Sequence, residues 1–339
     1  MLALVPSASA RISGVGVFLP PNVRTSGETE RMLRAANPHL KLATGLIHRL
    51  TGVDTVHVRP DGWQTSDLAV AAARDALSES PGDVDLLLFA SASQDLIEPA
   101  TSHIVAAKLG LDCPVMDIKN ACNSVVNAMQ VAEALIAAGQ YRRVLIASGE
   151  QPSHAVRWEL ADHDQFIRSF PGYTMSDGGA AVVMEATDAD GVGILDSHFL
   201  AVSRHWEIGT LPTGGSMNPR DIDRAYFDMD GHGLQQAFLE LGPQPVLDLL
   251  ERNALRWSDF DLVAIHQVAL PYLPPIFDRL GVPAEKTVIT IADHGNLASV
   301  TLPLQLHRAR ASGQVGPGSL VLLIGLAGGI SLGLMVVRL

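Results

Sequence analysis

"DIKNACNSVVNAMQVAEALIAAGQ" (117–140) decides the fold, because "TIADHGNLASVTLPLQLHRARASGQ" (290–314) repeats its pattern. Each stretch reads as a strand end, a turn of small residues and a helix closing on small-Gly-Gln. Matching Gln140 to Gln314 sets an offset of 174 residues (314 − 140) and lays Cys122 on Asn296. The likeness spreads outward. "DVDLLLFASAS" (83–93) resembles "DFDLVAIHQVA" (259–269). Each half then closes on a strand pair: "VLIASGE" (144–150) with "GAAVVMEA" (179–186), and "LVLLIG" (320–325) with "ISLGLMVV" (330–337). The chain therefore reads as two duplicated halves, 1–186 and 187–339, that bring Cys122 and Asn296 to one crevice near a pseudo-twofold axis.

Short apolar runs at 84–92, 114–118, 143–149, 261–267 and 286–292 predict strands. Helical periodicity covers 65–80, 123–140, 243–255 and 270–281, with Pro271, Pro274 and Pro275 confined to the start of the last. Strand–helix alternation predicts an α/β fold with a mostly parallel sheet under helices. The uncharged run 319–337 is long enough to cross a membrane. "GPGS" just before it and Gly328-Gly329 in its middle predict instead two buried strands around a turn, and no membrane partner.

With 47% hydrophobic and 18% charged residues among 339, the chain has material for a large core and is not of disordered composition. A formal charge of −12 argues against a nucleic-acid binder. Cys113 and Cys122 are the only cysteines, too few for a disulfide framework or a Cys-rich zinc site. "MLALVPSASARIS" (1–13) lacks a secretory signal, and both features fit a cytoplasmic location.

Three residues carry candidate chemistry. Cys122 stands at a predicted helix N-terminus, where the helix dipole favours thiolate and free backbone N–H groups can hold an oxyanion. Free cysteine is also a common buried small hydrophobe. Asn296, in "DHGNLASVT" (293–301), precedes a second helix, and His266 ends an apolar strand. A turn residue and a hydrogen-bonded core histidine explain these two equally well one at a time. Together the three form a constellation suited to a thioester.

These segments, "DIKNACNSVVNAM" (117–129), "HQ" (266–267), "HGNLAS" (294–299) and "GLAGGISLGLMVVRL" (325–339), occur in the order and spacing of a known family. From "RISGVGVFLP" (11–20) onward the chain resembles the type III β-ketoacyl-carrier-protein synthases of the thiolase-like superfamily. The resemblance implies two βαβαβ-type halves layered α-β-α-β-α, and a homodimer whose central sheet continues across the interface. It implies that Cys122 takes an acyl group from an acyl-CoA or acyl-carrier-protein thioester, its own N–H and that of Gly328 forming the oxyanion hole. His266 and Asn296 would hold a malonyl-type thioester while it loses CO2, and no cofactor or metal takes part. Thiolases, as the resemblance frames them, need a second cysteine near the C-terminus, and none follows Cys122.

Departures point to a specialised relative, in secondary metabolism. Where the family has a Trp and an Arg around the CoA adenine, alignment on Thr51-Gly52-Val53 gives Leu46 and Leu50. Where it has an amide and an Arg after the histidine, this chain has Ala269 and Pro271. "ADHDQF" (161–166) and "SRHW" (203–206) lack metal spacing, and "PTGGSMNP" (212–219) lacks a phosphate-loop lysine. Trp206 and Met217 are expected near the acyl or acceptor channel. The function expected is decarboxylative condensation. Its alternatives are acyl transfer from Cys122 to an alcohol or amine, and a silent partner subunit, against which an intact Cys/His/Asn set argues.

Overall fold

The computed structural model describes residues 9–339; residues 1–8, most of the stretch compared with a secretory signal, lie outside them. The first half contains β1 (Ser9–Phe18), a short antiparallel pair of β2 (Val23–Thr25) and β3 (Thr55–His57), then β4 (Leu86–Ala90), β5 (Val115–Ile118), β6 (Arg143–Glu150) and β7 (Gly178–Thr187). The second contains β8 (Gly193–Ala201), a two-residue pair of β9 (Gly209–Thr210) and β10 (Asp228–Met229), β11 (Leu262–Ile265), β12 (Leu320–Ala327) and β13 (Ser331–Arg338). Two sheets result, ordered β1-β7-β6-β4-β5 and β11-β12-β13-β8.

The apolar strands serve two faces at once. Leu86, Leu88 and Ala90 of β4 enter a central core, while Leu87 and Phe89 point into an outer one. Likewise Val321 and Leu323 of β12 face the centre, and Leu320, Leu322 and Ile324 face the opposite outer core. This period-two division of an unbroken apolar run is how a strand buried on both sides must read. Helices Ser124–Ala137 and Thr301–Ala311 fill the centre, sending Val125, Met129, Ala132, Leu302, Leu306 and Ala309 into the same core. Helices Thr65–Glu79 and Thr101–Leu109 cover the first sheet; Gln244–Arg252 and Leu273–Leu280 cover the second. The layering is α-β-α-β-α, a thiolase-like fold.

Small residues set the tightest packing. Ala69, Ala72, Ala73 and Ala76 of helix Thr65–Glu79 are fully buried. The helix backbone lies so close to the sheet that a Cβ on Gly16 would sit 2.2 Å from the Ala72 carbonyl oxygen, and one on Gly179 2.1 Å from that of Leu68.

Two expectations need correction. The sheets are mixed, not mostly parallel, because β7 and β13 return antiparallel beside β6 and β12. The strand expected at 286–292 does not form, and the second sheet stops at four strands. Its backbone is engaged by a side chain instead: Gln267 Oε1 accepts from Thr290 N (2.9 Å) and Ile291 N (3.1 Å), and its Nε2 donates to Val288 O (2.8 Å). Ile291–His294 then turns into a short helix. The run at 319–337 is the hairpin β12–β13, turning at Gly328-Gly329-Ile330, and no helix among the described residues is long and apolar enough to cross a membrane.

Candidate active site

Cys122 lies between the end of β5 and helix Ser124–Ala137, at a bend where Ala121 takes φ +45°. That left-handed conformation is uncommon for a residue with a Cβ and needs support from its surroundings. Ser124 supplies it, its Oγ donating to Ala121 O (2.7 Å) and accepting from Asn120 N (2.9 Å). The duplication offset carries Ala121 onto Gly295, which takes φ +65° one residue before Asn296.

The C-terminal hairpin is tied to this bend. Asn123 Nδ2 donates to the carbonyl (3.1 Å) and hydroxyl (3.0 Å) oxygens of Ser331, and Asn120 Nδ2 also reaches that hydroxyl (3.3 Å). The Gly328 turn therefore stands beside the bend, and a Cβ on Gly328 would meet open space.

Asn296 is gripped through its backbone, its N–H donating to Thr174 O (2.8 Å) and its carbonyl accepting from Ser176 N (2.9 Å). Its side-chain Oδ1 accepts from Ala298 N (2.9 Å), which leaves Nδ2 as the end available to donate. Below it runs a relay. Arg308 donates to His294 Nε2, and an arginine cannot accept, so the proton of neutral His294 sits on Nδ1. That nitrogen lies 2.8 Å from His57 Nε2, and His57 Nδ1 lies 2.7 Å from Pro20 O. One tautomer of each ring satisfies all three contacts. Burial, with the cation of Arg308, pushes His294 down to about 4, and burial lowers His57 as well, so both are neutral near pH 7.

His266 follows β11 and is held by its backbone N–H to Ile324 O (2.9 Å). It is 4% exposed, and neither ring nitrogen has a partner among the described residues. Burial pushes its pKa down to about 4, which keeps the ring neutral with one donor and one acceptor unused. Two orphaned polar atoms on one buried ring are unusual and suit a ring waiting for a ligand. Gln305 couples His266 to the Asn296 segment: from helix Thr301–Ala311 it donates to Ile265 O (2.8 Å) and accepts from Ile265 N (3.2 Å).

The thiol departs from expectation. Cys122 keeps some exposure as a residue, but its sulfur lies deep among protein atoms. Burial first, then the nearby Glu150 carboxyl, pushes its pKa up to about 12. At rest Cys122 is a thiol and not the thiolate that a helix N-terminus alone would favour.

Glu150 is the residue that sequence reasoning passed over. It ends β6 with 1% exposure and accepts from Ala92 N (3.0 Å), Ser93 Oγ (3.2 Å) and Ser299 Oγ. Burial raises its own pKa, and the hydrogen bonds from Ser299, Ala92 and Ser93 work against that rise. Through Ser299 it links the first half to the Asn296 loop. The available signal was a carboxylate closing the apolar run "VLIASG".

Leu50 is half-exposed on helix Leu46–Thr51, and Gly52 just beyond packs against Leu270, so the segments that carry the two departures adjoin. Trp206 and Met217 are 47% and 76% exposed, and neither lines the cavity beside His266.

Known proteins resemble this chain in sequence and in fold. Residues 116–202 match the family model described as 3-oxoacyl-[acyl-carrier-protein (ACP)] synthase III, and residues 250–339 match the model of its C-terminal part. The chain is 31% identical to β-ketoacyl-[acyl-carrier-protein] synthase III of Thiobacillus denitrificans, over 97% of this chain and 99% of that one. The crystal structure of 3-oxoacyl-[acyl-carrier-protein] synthase III from Aquifex aeolicus superposes with a TM-score of 0.83 at 25% identity, covering 97% of this chain and all of the other. OleA of Xanthomonas campestris, in crystals with lauric acid and lauroyl-CoA, has the same fold: TM-score 0.88 at 21% identity, over 98% and 100% of the two chains.

Proposed function

Because the chain belongs to the β-ketoacyl-[acyl-carrier-protein] synthase III family, we propose that its acyltransferase chemistry runs through Cys122, His266 and Asn296. The enzyme transfers an acyl group from a thioester and condenses it decarboxylatively with a malonyl-type thioester. The observation that carries the residue assignment is His266: a neutral, buried imidazole with both nitrogens unused, coupled through Gln305 to a loop that leaves an amide donor free on Asn296.

In the first half-reaction the Cys122 sulfur attacks the donor carbonyl. The backbone N–H groups of Cys122 and Gly328 hold the oxyanion, and the donor thiolate leaves with the proton that the Cys122 thiol gives up. In the second, His266 and Asn296 donate to the thioester carbonyl of the malonyl group. Its C–COO⁻ bond breaks, CO2 departs, and the electron pair passes into an enolate that these two donors stabilise. The enolate carbon bonds to the acyl carbon, the C–S bond to Cys122 breaks, and the sulfur takes one proton from solvent. Decarboxylation replaces removal of a weakly acidic α-proton, so no strong base is required.

The donors are acyl-CoA or acyl-carrier-protein thioesters. The open edge of β5, where Met116 is 40% exposed, supports a homodimer in which the sheet continues into a partner. Matching strand orders, β1-β7-β6-β4 and β8-β13-β12-β11, support division into duplicated halves at 186/187. Two unpaired cysteines fit a reducing cytoplasm.

Intact-mass measurement after exposure to acyl-CoA and acyl-carrier thioesters tests the assignment. Wild type gains one acyl group and Cys122→Ala gains none; malonyl thioester then discharges the acyl-enzyme with release of CO2. Equal labelling of both proteins would overturn it. Discharge by an alcohol or amine, but not by malonyl thioester, would replace condensation with simple acyl transfer.

A further inference from the structure

Glu150 has no part in the steps above, yet it is a carboxyl at 1% exposure with no ion-pair partner among the described residues. Burying such a group costs free energy that a neutral side chain of the same size avoids. Its contacts cross between the two halves. Oε1 accepts from Ala92 N and Ser299 Oγ, and Oε2 accepts from Ser93 Oγ. Ala92 and Ser93 follow β4 in the first half, whereas Ser299 stands three residues past Asn296 in the second.

Ser299 is 2% exposed and gripped from β6 on two sides, by Glu150 and by Ser148, whose Oγ lies 3.0 Å from its own. The residue before it, Ala298, takes φ +49°. A residue with a Cβ rarely adopts that left-handed conformation, which persists only where the surroundings enforce it. Ala298 N is also the donor that occupies Asn296 Oδ1 (2.9 Å). The contacts form a series: the carboxyl fixes Ser299, Ser299 fixes the turn at Ala298, and that turn decides which end of the Asn296 amide stays free. Packing alone does not ask for these polar groups. The duplication offset lays Ser299 on Val125 (299 − 174), where a hydrocarbon side chain fills the matching place in the central core.

We infer that Glu150 is a positioning residue for the decarboxylating half-reaction: acting through Ser299, its carboxyl holds the Asn296 amide with Nδ2 presented to the malonyl thioester carbonyl. The inference rests on the proposed role of Asn296. Glu150 touches no reactant, and the bonds and protons of the reaction stay as given above. Without the tether the amide can retreat or turn its oxygen outward, and a displacement on the order of 1 Å costs about 10²-fold in rate. Negative charge builds on the carbonyl oxygen only as CO2 departs, so the loss falls on kcat more than on KM.

The test compares full-length wild type with Ser299→Ala, Glu150→Ala, Glu150→Gln and the double alanine variant. CO2 release is followed from malonyl-CoA or malonyl-carrier protein, whichever the wild type consumes, and acylation of Cys122 is timed separately by intact mass. Ser299→Ala should lower kcat for CO2 release about 10- to 100-fold, with KM and the acylation rate within about twofold of wild type. Glu150→Gln should stay within about threefold in kcat: its amide oxygen can accept from Ser299 and Ala92 N while its nitrogen donates to Ser93 Oγ. The double variant should be no slower than the slower of the two singles, as members of one tether must behave. If Glu150→Ala does not fold, Ser299→Ala and Glu150→Gln carry the test. Unchanged CO2 release in Ser299→Ala overturns the inference, and so does equal slowing of both half-reactions. So does a Glu150→Gln protein as slow as Ser299→Ala. Failure of the proposed function shows separately, as Asn296→Ala protein that releases CO2 at the wild-type rate.

Discussion

His266→Asn should flatten the pH dependence of stability by an amount the structure sets. Burial lowers the imidazole from 6.5 to about 4, so the unfolded chain binds a proton there that the folded protein refuses between those values. A folded-state pKa depressed for a base gives stability that is fully present above 6.5 and is lost as pH falls toward 4. With about 1.36 kcal/mol per pKa unit, the full effect is roughly 3.4 kcal/mol, of which about 2.4 kcal/mol is lost between pH 7 and pH 4.5. His266 is 4% exposed, so solvent screening takes little away. Other buried groups contribute to the pH dependence as well, His294 in the same sense and the carboxyls Glu150 and Asp177, whose pKa values burial raises, in the opposite one. Comparing wild type with variant at each pH removes their contribution to the extent that they are independent of His266. Urea unfolding at both pH values measures it: the wild type should lose about 2.4 kcal/mol more than His266→Asn on acidification. A gap between the two proteins that is the same at pH 7 and pH 4.5 would refute a neutral, desolvated His266, and with it the donor role assigned to that ring.

Three further outcomes are expected. Asn296→Ala should slow condensation by about 10²–10³-fold, measured as CO2 release, while acyl transfer to Cys122 proceeds at the wild-type rate. Arg308→Met removes the donor that fixes the His294–His57 tautomers, and should cut condensation roughly 10- to 100-fold through misplacement of Asn296, again sparing acylation of Cys122. Gly179→Ala should destabilise the fold by about 3 kcal/mol in urea, because its methyl group has to displace the backbone of helix Thr65–Glu79 and not a flexible side chain.

Where the sequence was legible, the responsible physics was local. The alternation of β4 and β12, the Gly328-Gly329 turn and the small-residue helix after Cys122 are all written in neighbouring letters. The duplication singles out Cys122 and Asn296 as a pair, and the family spacing adds His266. What failed to show depends on residues distant in sequence. Nothing in 286–292 says that the amide of Gln267 will occupy its backbone, or that a strand will be lost there. The protonation state of Cys122 depends on Glu150, 28 positions on, and on burial that no helix-end argument contains. Helix Gly231–Leu241 was not read at all: Gly231 and Gly233 weaken its pattern at the very end where Asp230 caps it. The cavity beside His266, which depends on that helix, was invisible for the same reason.

The pinning of Asn123 by Ser331 also has a consequence for the order in which the molecule is made. The first sheet has all its strands once Thr187 has been synthesised. In the second sheet β13 lies between β8 and β12, so β8 waits for a neighbour that is synthesised only after β12. Until β13 is made, the bend at Cys122 lacks the tether between Asn123 and Ser331. Competence to take an acyl group should arrive only with that final strand, which keeps an unfinished polypeptide from consuming thioesters.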